Sequence, residues 1–176
     1  QTFDAVTVAN KSIGGLTLKA AYIDQVNRIF GTEADSPLVA IPPTATKPAR
    51  IFDNVENIEA NVGLFNASYT GIKDVTLGAY AYLMEFEDKE NWDNNTFGAS
   101  ATGDVFGLTL YGELAWQDKA GFAADEDAFY FHGIATKKFG TQSVSLGIEQ
   151  LNEGFKTPLA TVHVFNGWAD VFDFGR

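Results

Sequence analysis

Val-Thr-Leu-Gly-Ala-Tyr-Ala-Tyr-Leu, residues 75–83, alternates between two kinds of side chain. Valine, leucine and alanine occupy the odd positions, and threonine, glycine and tyrosine occupy the even positions. Successive side chains of a β-strand point to opposite faces, so this two-residue period predicts a strand with one apolar face. The same pattern recurs in residues 16–22, 58–64, 97–102, 108–117 and 144–149.

Two further segments, 2–10 and 126–138, have mixed faces but complete a set of about eight strands. Tight turns are predicted where Gly stands near Asp, Lys or Ser, at 11–15, 70–74, 103–104 and 139–142. Longer connections are predicted at 32–55, 88–94 and 118–125. If the strands run up and down, the tight turns share one edge and the long connections share the other, as in outer-membrane barrels.

Strand length separates a membrane barrel from a soluble β-protein. Several predicted strands extend over about 10 to 13 residues, whereas globular strands usually have about 5 to 6 and about 9 to 11 tilted residues cross a bilayer. We therefore expect an all-β, antiparallel up-and-down transmembrane β-barrel. Residues 1–176 are expected to form a single barrel domain or barrel segment, with a long loop at 32–55 and an irregular tail at 151–176.

Aromatic side chains are frequent near the predicted strand ends. Those that border long loops are Tyr22, Phe30, Phe86, Trp92, Trp116 and Phe129, and those that border tight turns are Phe106 and Phe139. Two aromatic girdles are typical of transmembrane barrels. The alternative, in which these aromatics close the ends of a soluble β-core, stays open.

Composition argues against several classes of protein. The chain has 12 basic and 23 acidic residues and a formal net charge of -11, which opposes binding to nucleic acid. The absence of cysteine excludes a disulfide scaffold, a thiolate metal site and a cysteine nucleophile. No stretch has the roughly 20 consecutive apolar residues of a membrane helix.

Residues 2–7 (TFDAVT) and 23–31 (IDQVNRIFG) resemble part of the alginate-export type of outer-membrane porin in Gram-negative bacteria, and residues 157–170 resemble another part. Porins of this family have about 18 strands around a polar lumen. The resemblance implies a bacterial outer-membrane location, contact with lipid and lipopolysaccharide, and passive diffusion of small polar or anionic solutes. An eight-stranded barrel encloses only side chains, so this chain is expected to be a portion of a larger barrel.

In that interpretation, the polar strand faces line the pore. The candidate residues are Lys19, Arg28, Glu59, Asn61, Tyr80, Tyr82, Tyr111, Glu113, His132 and Glu149. An exporter of anions needs a mostly basic lumen, whereas acidic residues equal or outnumber basic ones here. Alginate is therefore not expected to be the substrate.

Enzymatic activity is not expected. Glu59, Glu113 and Glu149 are the candidate carboxylates for glycoside hydrolysis, but nothing in their spacing selects a pair. The common nucleotide-binding and serine hydrolase motifs are absent.

No cofactor is expected either. The acidic run Asp125, Glu126 and Asp127 is a weak candidate for a loosely bound Ca²⁺, but it lacks the order of an EF-hand loop, and a solvated loop is the favoured interpretation. His132 and His163 are the two histidines, and they lack the spacing of a metal site.

A different class of function remains as the alternative: a secreted or periplasmic β-sandwich or small barrel that binds glycans or protein through its acidic loops. A third hypothesis is a small membrane-anchor barrel with a plugged interior, which requires closure between the first and last strands. A homo-oligomer is compatible with each of these hypotheses.

Overall fold

A computed structural model describes residues 2–27, 40–41, 50–51, 57–87, 92–120 and 126–157. Its strands, in chain order, are β1 (Thr2–Asn10), β2 (Leu16–Asn27), β3 (Ala40–Ile41), β4 (Arg50–Ile51), β5 (Ile58–Ile72), β6 (Val75–Phe86), β7 (Asn94–Val105), β8 (Leu108–Ala120), β9 (Glu126–Phe139) and β10 (Gln142–Leu151). In these ranges no helix has the length and apolar character needed to cross a membrane.

Eight strands form one antiparallel sheet in the order β1-β2-β5-β6-β7-β8-β9-β10. The short strands β3 and β4 pair with each other within the long connection from β2 to β5. This confirms the all-β, antiparallel up-and-down arrangement of about eight strands. The sheet is open, with β1 and β10 at its edges, so the described residues do not form a closed barrel.

The connections between strands sort by length onto the two ends of the sheet. Residues 11–15, 73–74, 106–107 and 140–141 make the short reversals, all at one end, which we call the turn end. The long connections from β2 to β5, β6 to β7 and β8 to β9 leave from the opposite end, the loop end. The predicted separation of tight turns from long connections is confirmed.

One predicted turn is wrong in position. Gly103 and Asp104 belong to β7 and pair with β8, and the chain reverses only at Phe106 and Gly107. Both turn residues have positive φ, 52° and 72°. Two successive positive φ values suit a two-residue hairpin, because they match the right-handed twist of the flanking strands.

The strand register defines two faces of the sheet, because directly paired residues of antiparallel strands project to the same side. One row of paired residues runs through Ala20, Phe65, Ala81, Phe97, Trp116 and Phe129, and its side is called the apolar face. The adjacent row runs through Lys19, Asn66, Tyr80, Gly98, Ala115 and Tyr130, and its side is called the polar face.

The apolar face is largely uncovered. Leu114 and Leu146, both on this face, expose 63% and 76% of their surface, and most other exposed large apolar side chains lie on the same side. Within the described part of the chain, the backbone of each strand lies close only to that of its neighbours in the sheet. The second packed sheet of a β-sandwich is therefore absent from these residues.

Seven of the ten buried apolar side chains in the described residues form a cluster on the polar face near the loop end. Its members are Ile23, Val26, Ile58, Ala60, Val62, Met84 and Phe86. Trp92 packs edge-on against Phe86, with ring centroids 5.7 Å apart. Phe86 and Trp92 therefore do not belong to an aromatic girdle on the apolar face, which corrects the expectation for these two residues.

The face assignment of the first half of β5 is also corrected. The alternation of residues 58–64 predicted that Glu59 and Asn61 share a face with Lys19. The register instead pairs Lys19 with Asn66, which places Glu59 and Asn61 on the apolar face near the loop end. Alternation within one strand distinguishes its two faces but does not say how they match the faces of the next strand, and a one-residue change of register exchanges them.

Candidate functional site

Seven polar or aromatic side chains come together on the polar face, in what we call the tyrosine–carboxylate cluster. Its members are Tyr80 and Tyr82 of β6, Tyr111 and Glu113 of β8, Tyr130 and His132 of β9, and Glu149 of β10. His132 pairs directly with Glu113 on one side and with Glu149 on the other. The two carboxylates are therefore placed two strands apart with an imidazole between them.

Tyr80 reaches from β6 to β8 across the intervening strand. Its hydroxyl donates a hydrogen bond to Glu113 Oε1 at 2.7 Å. The residue of β7 opposite Tyr80 is Gly98, and a Cβ at Gly98 would overlap the Tyr80 ring. The missing side chain at Gly98 is therefore what allows the ring to lie flat over β7.

Phenol groups also bind two further carboxylate oxygens of the cluster. The Tyr111 hydroxyl donates to Glu113 Oε2, and the Tyr130 hydroxyl donates to Glu149 Oε1 at 3.0 Å. Glu149 Oε2 is buried and has no hydrogen-bond partner among the described residues. Both carboxylates thus receive neutral donors, and neither lies within 4.0 Å of a described basic group.

Aromatic packing fixes the orientation of these rings. Tyr80 and Tyr82 stack with ring centroids 4.8 Å apart. The His132 ring meets Tyr111 edge-on at 5.5 Å and Tyr130 at 6.2 Å. The cluster therefore consists of packed aromatic rings, with hydroxyl and carboxylate groups between them.

Gln117 organises a second polar network nearer the loop end. The side chain is 1% exposed, and one N–H of its amide Nε2 is shared between Asn94 Oδ1 at 3.1 Å and Thr96 Oγ1 at 2.7 Å. It also exchanges two hydrogen bonds with the backbone of Lys156, one accepted at Oε1 (2.6 Å) and one donated by Nε2 (3.0 Å). Because the Gln117 side chain satisfies the hydrogen-bonding groups of Asn94, Thr96 and Lys156 together, we expect this network to be rigid.

Those bonds hold the segment after β10, residues 152–157, against the polar face. The Lys156 ammonium donates to the Asp93 carbonyl at 2.9 Å, and Phe155 lies 5.9 Å from the Tyr130 ring. Burial lowers the pKa of Lys156, because the charged ammonium loses water on this surface. Residues 152–157 are the described part of the predicted irregular tail beyond β10. They therefore cover the side of the tyrosine–carboxylate cluster that is nearest the loop end.

The structure brings together six of the ten residues expected to line a pore: Tyr80, Tyr82, Tyr111, Glu113, His132 and Glu149. Lys19 lies on the same face but on β2. Glu59 and Asn61 lie on the opposite face, and Arg28 lies outside the described residues. Because Glu59 is on the other face, the three candidate carboxylates do not converge.

Two side chains of these networks, Tyr130 and Gln117, are not among the residues predicted to line a pore. Tyr130 lies two residues before His132 in β9, so their side chains project to the same face, and this spacing is the signal that assigns Tyr130 to the polar face. Gln117 ends the alternating segment 108–117, but its bonds to Lys156 join residues 39 positions apart, and no local pattern signals them.

No metal site is apparent in the described ranges, where no group of three or more His, Cys, Asp or Glu side chains is arranged around a common point. Glu126 and Asp127 are exposed at the start of β9, and Asp125 lies outside the described residues. The Ca²⁺ hypothesis is thus left untested.

Comparison of the chain with protein-family models, with curated proteins and with solved structures finds no match in any of the three. The functional argument therefore depends on the geometry of the two faces.

Proposed function

We propose that this sheet is part of the wall of a porin-like β-barrel in a bacterial outer membrane. In this proposal the apolar face contacts lipid, and the polar face lines a water-filled interior through which small polar solutes diffuse. No covalent chemistry is involved. The observation that carries the proposal is an exposed apolar band, bounded at both ends by aromatic side chains.

The height of this band is measured along β9. Phe129 and Phe139 lie ten residues apart on the apolar face and expose 55% and 58% of their surface. Ten residues of strand span about 33 Å, and a tilt of about 40° reduces this to about 25 Å along the membrane normal. Transmembrane barrels have an outward apolar band of about that height between their aromatic girdles.

The loop-end boundary of the band is a row of aromatic side chains on neighbouring strands. Phe97 pairs with Trp116, which pairs with Phe129, and the rings of Phe97 and Trp116 stack at 5.8 Å. The next residues on this face toward the loop end are the paired Asn95 and Asp118. An abrupt change from aromatic to acidic side chains is expected where a wall leaves lipid and enters the headgroup region.

The turn-end boundary includes one charge, at Lys137, which lies just inside Phe139. The Lys137 ammonium donates to the Gly107 carbonyl at 2.9 Å, in the neighbouring turn. A lysine that buries its methylene chain and directs its charge to the rim is typical of a membrane interface.

The sheet edges favour a larger assembly of strands. β10 has ten residues without proline or lysine, and Val144, Leu146 and Ile148 are exposed along it. Proteins usually protect a free edge of this kind with charge, proline or a covering element. We infer that β1 and β10 pair with further strands of a larger barrel, since eight strands alone leave no open channel.

The alternative, a soluble β-sandwich or small barrel that binds glycans or protein through acidic loops, needs a layer over the apolar face. The described ranges contain no such layer. This alternative is therefore less well supported.

Absence of cysteine makes the two faces easy to probe. Single variants Leu114→Cys (apolar face) and Ser100→Cys (polar face) would each be labelled with an environment-sensitive fluorophore and reconstituted in liposomes. We expect brominated lipid to quench the label at position 114 and acrylamide, a neutral water-soluble quencher, to quench the label at position 100. Equal behaviour at both positions, or a protein that stays monomeric in water without detergent, would overturn the proposal.

A further inference from the structure

Glu113 and Glu149 place two carboxyl groups on the polar face, and neither lies within 4.0 Å of a lysine or arginine among the described residues. Each is held by tyrosine hydroxyls, which are neutral donors. Since both pair with His132 on β9, the backbone positions of the two residues lie about 10 Å apart, twice the spacing between neighbouring strands.

His132 lies between the two residues, whereas the lysines of this face are remote from them. Lys138 is six residues along β9 from His132, about 20 Å at the rise of an extended strand. Lys19 is on β2, four strands from Glu113, or about 19 Å. Both separations exceed the Debye length of about 8 Å at physiological ionic strength, so neither lysine neutralises the pair.

Lys156 lies on the loop-end side of the pair. Its backbone contacts Gln117, and its ammonium donates to the Asp93 carbonyl. Gln117 is four residues, or about 13 Å, along β8 from Glu113, and this separation also exceeds the Debye length of about 8 Å.

The aromatic rings around the carboxylates also favour cations. The stacked Tyr80 and Tyr82 present ring faces, which carry negative electrostatic potential and attract cations. The whole chain has a formal net charge of -11, so the surrounding field has the same sign.

We infer that the diffusion path along the polar face favours cationic over anionic solutes, and that Glu113 and Glu149 determine this preference. The inference rests on the proposed function, because it requires the polar face to be in contact with water. Fixed negative charges beside a low-dielectric wall raise the local concentration of cations and lower that of anions.

The test uses Ser100→Cys, whose partner across the β7–β8 pair is Glu113. The thiol would be reacted in liposomes with a cationic and with an anionic methanethiosulfonate reagent, and the rate ratio normalised to that of a free thiol. We expect a ratio in favour of the cation. Adding Glu113→Gln should lower the cation rate about threefold and raise the anion rate about threefold, the effect of one unit charge at about 6 Å in water, so that at low ionic strength the ratio falls about tenfold.

Two further variants complete the design. Glu149→Gln should lower the ratio by a smaller factor, because position 149 is further from position 100. Glu126→Gln, which removes an exposed acid at the start of β9, should leave the ratio unchanged. If Glu113→Gln does not fold, as judged by β-sheet circular dichroism, Glu149→Gln alone decides the result.

The possible failures are distinguishable. Equal normalised rates for both reagents, insensitive to the glutamine variants, would overturn the cation preference while leaving a water-lined face intact. No reaction at position 100 with either reagent would show that this face is closed to water, and the proposed function would fail together with the inference.

Discussion

Tyr80 and Glu113 are joined by a 2.7 Å hydrogen bond although β7 runs between their strands. The bond exists because Gly98, opposite Tyr80, presents no side chain. A hydrogen bond to a carboxylate contributes about 1.5 to 3 kcal/mol to stability. Gly98 contributes no side chain to the tyrosine–carboxylate cluster, but the cluster depends on the space that it leaves for the Tyr80 ring.

Gly98→Ala should displace the Tyr80 ring and lower the free energy of unfolding by about 1 to 3 kcal/mol, through loss of this bond and its packing. The measurement is urea unfolding of the reconstituted protein, followed by tryptophan fluorescence. Gly112→Ala is the matched control, since a Cβ there meets nothing within 4 Å. Equal effects of the two substitutions would show that general loss of glycine, and not the Tyr80 contact, is responsible.

Tyr130→Phe should leave both oxygens of Glu149 without the described donors, because Oε2 already has none. We expect the free energy of unfolding to fall by about 1 to 3 kcal/mol. The control is Tyr22→Phe, which removes a hydroxyl from an exposed ring on the apolar face. The prediction is wrong if the two variants unfold at the same urea concentration.

Gln117→Ala should release residues 152–157 from the polar face, because the glutamine supplies two hydrogen bonds to the Lys156 backbone. Trypsin should then cleave after Lys156 at least several-fold faster, as measured by mass spectrometry of intact liposome-bound protein. Gln150→Ala, at an exposed position of β10, should leave the cleavage rate unchanged. An unchanged rate in Gln117→Ala would show that other contacts hold the segment.

Leu114→Arg should impair folding into bilayers, because this side chain lies within the exposed apolar band. A basic residue on the lipid face near the bilayer centre costs about 2 to 4 kcal/mol. The free energy of folding into liposomes measures the effect, with Thr102→Arg on the polar face as the control. Similar costs at the two positions would contradict the assignment of the apolar face to lipid.

The alternation of residues 75–83 and its repeats predicted the strands, their order and the separation of turns from loops, because each of these is a local property. Strand period depends on successive side chains, and an up-and-down order needs only short reversals between neighbours. Seven of the ten predicted pore-lining residues lie on one face, which depends on the register between strands as well as on the alternation within each strand. The error at 103–104 arose because a glycine beside an aspartate is compatible with both a turn and a strand.

The sequence by itself therefore determined that the chain forms amphipathic antiparallel strands with one apolar and one polar side. Only the tertiary structure decided which sides of neighbouring strands match, and it moved Glu59 and Asn61 away from the cluster. It also decided that Tyr80 crosses Gly98 and that Gln117 holds Lys156. The physical reason is that alternation repeats every two residues and is identical in either register, whereas the register itself is set by contacts between residues far apart in the chain.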